Sequence, residues 1–327
     1  MQPEVLAALT HNLPVVALES TVITHGLPRP HNLALAREME NIVRENGATP
    51  ATIALLDGFI RIGLQDHELE KLAFDETSMK VSLRNLGICV ARSMSGGTTV
   101  AATLLAARKA GIYVFSTGGI GGVHRENPDD VSADLDALSE NPVVVVCTGA
   151  KAILDLPATL EALETRGVPL LGYQTDTFPA FYSRSSGLPV DARVETAQEI
   201  YRIAKAHWET GNRSAILVCN PVPQEFAIDP AVIEPVITKA VEQAKRQGIH
   251  GADLTPFLLE VVNQATSEKS LQANLALLRN NARLGAEVAR CFRHPRVVGH
   301  RHVPDIGRDL RGRRGAMKVR VARIRRV

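Results

Sequence analysis

Hydrophobic positions along the chain fall into two rhythms. Short apolar runs at Val15–Leu18, 52–56, 113–116, Leu170–Tyr173 and 215–219 read as strands, and the uninterrupted run 143–147 as one covered on both faces. Between them, apolar residues recur three and four apart. Leu35, Met39, Ile42 and Val43 share one face of a helix that Asn32 is expected to cap and Gly47 to end. Residues 1–12 predict a short helix. Residues 98–110, 157–165, 197–210 and 232–247 predict further helices, stopped by Gly111, Gly167, Gly211 and Gly248. Thr255-Pro256 predicts an N-cap followed by proline at the first helical position, opening a helix to about Ala265, and a last helix covers 271–290. Asp57-Gly58 joins 52–56 to Phe59–Ile62 as an I′-type hairpin. Strand and helix alternating in this way predict an α/β fold: three α/β/α layers on a mostly parallel central sheet, with a small β-hairpin element.

At 327 residues and 45 % hydrophobic, with only 4 % aromatic, the chain has enough apolar surface for one large core of Val, Ile, Leu and Ala. No apolar run approaches the roughly 18 residues that cross a bilayer, and no basic-then-apolar leader opens the chain, so a cytoplasmic protein without membrane partners is expected. Cys89, Cys147, Cys219 and Cys291 are widely spaced, and the first three lie in or beside apolar runs, which predicts free thiols rather than a disulfide or zinc framework. The net charge of +2 conceals an asymmetry. Residues 291–327 hold twelve of the 37 Lys and Arg but only Asp305 and Asp309 of the 35 acids, leaving 25 basic against 33 acidic residues elsewhere. An acidic body argues against a nucleic-acid partner. The domain is expected to span 1–292, and 293–327 to be a basic, disordered tail.

Candidate chemistry clusters where predicted strands end, which is where open α/β sheets bind ligands. The valine run 143–146 leads through Cys147, Thr148, Gly149 and Ala150 to Lys151. An amine placed there, with apolar walls that disfavour its charge, is a candidate nucleophile; a lysine at the start of a surface helix fits the same position. Glu19 directly follows Val15–Leu18. A carboxyl emerging from a buried strand suits general acid or base work, and a capping or salt-bridged glutamate suits the place equally. Gly96-Gly97-Thr98-Thr99 before a helix can aim backbone N–H groups at an anion, although it matches neither the P-loop nor the dinucleotide fingerprint. Thr117 through Arg125 carries four glycines that allow close approach to a ligand, with His124 and Arg125 as donors. Asp129, Asp130 and Asp134 offer oxygen to a hard divalent cation, or simply form an acidic loop.

Taken in order, these stretches resemble the pseudouridine-5′-phosphate glycosidase family, also known from the indigoidine-cluster A protein. The match is carried by Ala17-Leu18-Glu19-Ser20-Thr21 with Thr24-His25-Gly26, residues 50–54, 97–101 and 117–125, Ser132-Ala133-Asp134-Leu135, Gly149-Ala150-Lys151, residues 172–175, Asn220-Pro221 and residues 255–259, and covers roughly 13–290. It implies reversible cleavage of the C–C glycosidic bond of pseudouridine 5′-phosphate to uracil and ribose 5-phosphate, in a homotrimer with one Mn²⁺ per subunit. It further implies that Lys151 is the nucleophile forming an imine with C1′ of the opened ribose, Glu19 the proton donor, and Asp130 the metal ligand. Lys80, Val100, Ser132, Ala133 and Asp134 match substrate positions. To these the residue chemistry adds Thr98 and Thr99 for the phosphate and Thr117, Gly118, His124 and Asn281 as further substrate contacts. The same lysine and phosphate site would serve a Schiff-base lyase acting on another sugar phosphate, or a non-catalytic sugar-phosphate sensor. Nothing after about Cys291 matches the family.

Overall fold

A computed structural model describes residues 1–125, 127–249, 251 and 254–292. The expected basic tail at 293–327 lies outside the described residues. The strands are β1 (Val15–Leu18), β2 (Thr49–Leu56), β3 (Phe59–Ile62), β4 (Met79–Val81), β5 (Gly96–Thr98), β6 (Val114–Ser116), β7 (Val123–His124), β8 (Asn127–Val131), β9 (Val144–Cys147), β10 (Leu154–Asp155), β11 (Leu170–Tyr173), β12 (Ala192–Val194) and β13 (Ile216–Cys219). The helices are α1 (Pro3–Thr10), α2 (His31–Glu45), α3 (Asp66–Phe74), α4 (Leu83–Ala91), α5 (Val100–Ala110), α6 (Ala133–Glu140), α7 (Leu156–Thr165), α8 (Ala197–Glu209), α9 (Pro230–Arg246), α10 (Leu254–Ala265) and α11 (Lys269–Cys291).

The main sheet runs β12-β11-β13-β9-β6-β1-β2-β5-β4, with β3 hairpinned onto β2. From β12 to β2 every neighbouring pair is parallel, and only the β2–β3 and β2–β5 pairings are antiparallel. Every residue of β1, β9 and β13 is buried, as strands covered on both faces require. Helix α11 lies across β1, β6 and β9 and packs on α2 and α8, while α5 pairs with α6. Gly285 lets α11 approach the sheet, since a Cβ there would press on Ser116 and Val16. A second, antiparallel sheet, β10-β7-β8, sits beside the carboxyl end of β9. The hairpin turn is as expected, with Asp57 at φ +50° and Gly58 at +81°. Cys147 and Cys219 are register partners in adjacent strands, and the four thiols are free.

Three local expectations are corrected. Asn32 does not cap α2. It is buried as the second residue of the helix, and its amide donates to the carbonyls of Ile23 and Ala73 at 2.9 Å each, tying the helical turn Val22–Gly26 and the last turn of α3 to α2. The Gly96-Gly97-Thr98 stretch is not a helix entry but strand β5, and α5 begins at Val100 with Thr99 as its cap. Its glycines are there because backbone crowds them: a Cβ on Gly96 would strike the Met79 main chain, and one on Gly97 the Ser20 carbonyl. Thr255 is not an N-cap either, because α10 already begins at Leu254.

Candidate active site

The carboxyl ends of three adjacent strands, β1, β6 and β9, deliver Glu19, Thr117 and Lys151 to one place. Outer strands of such a triplet stand two strand spacings apart, about 10 Å at the backbone. Long side chains close the remainder. Glu19, Lys151 and Lys80 border a single cleft of about 510 Å³, its open mouth included, together with Gly118, Phe181 and Asn274. Lys80 comes from β4, carried toward the centre by the β4–β5–β2 pairing.

Each element is anchored from behind. Ser20 donates to the Ile53 carbonyl at 2.6 Å and accepts from the Thr98 N–H at 2.9 Å, and the Thr98 hydroxyl donates to the same carbonyl at 2.7 Å. These bonds fix the chain that carries Glu19 to β2 and β5. Thr98 is therefore committed inside the fold, not to the cleft. After β9 the chain turns at Gly149, whose φ of +75° and close contact with the Pro179 carbonyl exclude a side chain. The Lys151 N–H then donates to the Ile120 carbonyl at 3.0 Å.

The electrostatics set two groups apart. Burial is the main effect on Glu19 and pushes its pKa up; the Lys151 charge, a hydrogen bond from the Thr117 hydroxyl and the Lys80 charge oppose this, while Asp134 adds to it. Glu19 is thus biased toward the protonated acid with one edge on the cleft. Burial lowers the His124 pKa, Asp130 at 4.0 Å raises it, and Lys151 and Lys80 lower it further. The two amines, the imidazole and the carboxyl therefore form one mutually interacting group. Two lysine amines beside a carboxyl acid suit an anionic carbonyl substrate: one amine can attack, the other can hold charge.

Several expected contacts have other occupations. Asp134 is 5 % exposed, and its carboxylate accepts from the Ala101 N–H at 2.9 Å and the Gly121 N–H at 2.8 Å. The N-terminus of α5 is an anion site as expected, but the anion it meets is this side chain. Gly121 is glycine because a Cβ there would collide with Ser132 and Asp134. Ser132 caps α6 and Ala133 opens it, Thr99 caps α5 and Val100 opens it, so these four stand at the two helix starts that Asp134 joins and are not among the residues lining the cleft. Asn281 was expected to contact the substrate. Instead it is fully buried, donating to the Thr117 carbonyl and the Thr148 hydroxyl at 2.9 Å each and accepting from Asn220 at 3.0 Å. It fixes the Thr117-Gly118 turn. Among the described residues no three His, Cys, Asp or Glu side chains converge as a metal cage. Asp130, on β8 with a side chain 35 % exposed, offers one carboxylate, a foothold that fits only an ion keeping most of its water.

Arg125 was read as a ligand donor. Its Nη2 and Nε in fact donate to the Ala152 and Leu154 carbonyls at 2.7 and 3.1 Å, and its Nη1 to Glu234 on α9 at 2.8 Å. The guanidinium pins the turn that presents Lys151. Arg125→Ala is expected to lower kcat about 10- to 100-fold, because the Lys151 amine loses its fixed place on the cleft. Steady-state kinetics should show KM nearly unchanged, and Arg125→Lys should rescue poorly, lacking the planar fork.

The far wall of the cleft, Thr255, Pro256 and Leu259 from α10 with Asn274 and Leu278 from α11, had no role assigned from sequence. Its residues carry an ordinary amphipathic pattern.

A mostly parallel α/β sheet with a lysine and a buried glutamate on one cleft at its central carboxyl edge defines an α/β enzyme. Residues 4–291 match the family model described as indigoidine synthase A like protein, and the chain belongs to that family. It is 53 % identical over 291 residues to the pseudouridine-5′-phosphate glycosidase of Caldanaerobacter subterraneus subsp. tengcongensis, covering 88 % of this chain and 95 % of that one. It is 50 % identical over 288 residues to the Staphylococcus aureus protein of the same name, covering 88 % and 94 %. Among solved structures, it is similar to an indigoidine synthase A-like protein from Thermotoga maritima, with TM-score 0.82 and 40 % identity over 87 % of this chain and 94 % of that one. The prealnumycin C-glycosynthase AlnA, solved in complex with ribulose 5-phosphate, superposes with TM-score 0.82 at 38 % identity, covering 89 % and 95 %.

Proposed function

We propose that this chain is a pseudouridine-5′-phosphate glycosidase, cleaving the C–C bond between ribose C1′ and uracil C5 through an imine on Lys151. The observation that carries the reading is the presence of Lys151 and Glu19 on one cleft, at the ends of strands separated by a single strand. Relatives at about half identity bear the name of this activity.

A C–C glycoside has no leaving-group oxygen to protonate, so the two-carboxylate scheme of ordinary glycosidases does not apply. The Lys151 amine attacks C1′, the C1′–O4′ bond breaks, and a proton passes from the attacking nitrogen to the departing ring oxygen, giving an open-chain amine that still carries uracil. Glu19 donates its proton to uracil C5. The nitrogen lone pair then forms C1′=N as the C1′–C5 pair returns to the pyrimidine ring. Water hydrolyses the imine to ribose 5-phosphate and restores the lysine. Thr117 holds the Glu19 carboxyl in place, and Lys80 supplies positive charge for the substrate anion. Gly118 borders the substrate, and Val100, Ser132, Ala133, Asp134, Thr99 and His124 shape the site around it. Asp130 would hold Mn²⁺ as a largely hydrated ion, whose charge would favour the phosphate. Assembly as a cytoplasmic homotrimer is part of the same proposal. Among the described residues no helix is long and apolar enough to cross a membrane.

The test is product analysis: purified protein with pseudouridine 5′-phosphate and Mn²⁺ should release uracil and ribose 5-phosphate in equal amounts, and uridine 5′-phosphate should be left intact. Absence of uracil would favour a lyase acting on another sugar phosphate.

A further inference from the structure

The cleft does not end at the reacting groups. A second chamber of about 940 Å³, its open mouth included, shares His25, Gly26, Pro256, Leu259 and Asn274 with the cleft as a common border. Glu19, Lys80 and Lys151 line the cleft and not the chamber, so the chamber continues from the end of the cleft that carries neither the acid nor the amines. Its walls include the apolar Leu27, Pro28 and Leu271. Among the described residues its lining holds the Glu260 carboxylate and no lysine or arginine.

That distribution of charge decides which end of the nucleotide faces the chamber. A phosphate is attracted by Lys80 and repelled by Glu260, so the sugar phosphate stays at the lysine end and the uncharged base lies toward the border. The base is joined to C1′ through C5 and offers C5 to Glu19. In a six-membered ring the edge N1, C2, N3 then points away from the sugar, toward Pro256, Leu259 and Asn274. Uracil carries only hydrogen and oxygen on that edge, whereas a carbon group on N1 would pass the border and bury apolar surface against Leu27, Pro28 and Leu271.

We propose that this chain also cleaves pseudouridine 5′-phosphates that bear an alkyl or aryl group on N1, the cleft holding the nucleotide and the chamber the substituent. The inference rests on the functional reading above and widens its substrate class. Every bond change carries over: Lys151 attacks C1′, the C1′–O4′ bond breaks, and a proton passes from the attacking nitrogen to O4′. Glu19 then protonates C5 while the N1 lone pair, which alkylation leaves in place, supports the ring through C6. The C1′–C5 pair returns to the ring as C1′=N forms, and water releases ribose 5-phosphate beside the N1-substituted uracil.

N1-benzylpseudouridine 5′-phosphate tests the chamber. Wild-type protein should convert it to N1-benzyluracil and ribose 5-phosphate in equal amounts, with kcat/KM within about tenfold of the parent nucleotide, the scale of a tolerated change of substrate in an apolar pocket. Gln264 is exposed on α10 and lines the chamber and not the cleft. Gln264→Trp should therefore leave kcat/KM for the parent within about twofold and lower that for the benzyl nucleotide at least about tenfold. Glu260→Trp, at a second exposed position of the same wall, makes the same comparison if the first variant fails to fold. Cleavage of the parent with none of the benzyl nucleotide, or tryptophan variants that treat the two nucleotides alike, would overturn the inference. Failure of the parent itself to release uracil would overturn the functional reading and this extension with it, so the nucleotide that is cleaved tells the two failures apart.

Discussion

Lys151→Ala is expected to retain the nucleotide and to lose at least about 10⁴-fold in kcat, since removal of a covalent nucleophile takes away the path itself and not one contact along it. The cleft walls come from β1, β4, α10 and α11 as well as from the Lys151 turn, so the substrate keeps most of its surroundings in the variant. Calorimetric binding of pseudouridine 5′-phosphate together with uracil release measures both halves. Normal turnover by the variant would exclude the imine.

Glu19→Gln is expected to lower kcat by about 10²- to 10⁴-fold, the range of a positioned general acid. Glutamine keeps the shape and can still accept from Thr117, but it has no proton to deliver to uracil C5. The pH profile adds a signature. The donor form exists only below the Glu19 pKa, which burial raises against the pull of Lys151 and Thr117. Wild-type kcat should therefore be sustained at low pH and fall as pH rises through that elevated value, and this alkaline limb should be absent from Glu19→Gln. Ribose 5-phosphate should still form a reducible adduct in the variant, because attack by Lys151 does not need the glutamate proton on carbon.

The place of these two residues at the sheet's edge was legible in the chain because a buried strand announces itself by unbroken apolar composition, and the chain reaches the edge within a few residues of its end. The valine run before Lys151 and Val15–Leu18 before Glu19 both obey this rule. The glycine stops were legible for a related reason: Gly47, Gly111, Gly167, Gly211 and Gly248 all have positive φ, which side-chain-bearing residues avoid.

What escaped was every role that depends on distant backbone. Asn281 reaches a carbonyl 164 positions away and Arg125 a carboxylate 109 positions away, and such bonds leave no period in the sequence. Asn32, Asn281 and Arg125 have the composition of ligand donors, yet the fold uses them as internal ties. Gly96 and Gly97 looked like an anion loop because crowding by main chain and approach to a phosphate require the same residue. The two-residue strands β7 and β10 are too short to carry any alternation.

The central claim is that Lys151 captures the sugar's anomeric carbon. Incubating the wild-type protein with ribose 5-phosphate, reducing with borohydride and mapping the peptides by mass spectrometry tests it most directly. The account predicts a single stable pentitol-phosphate adduct on the peptide containing Lys151. No adduct, or an adduct on Lys80 or another lysine with Lys151 unmodified, would contradict it.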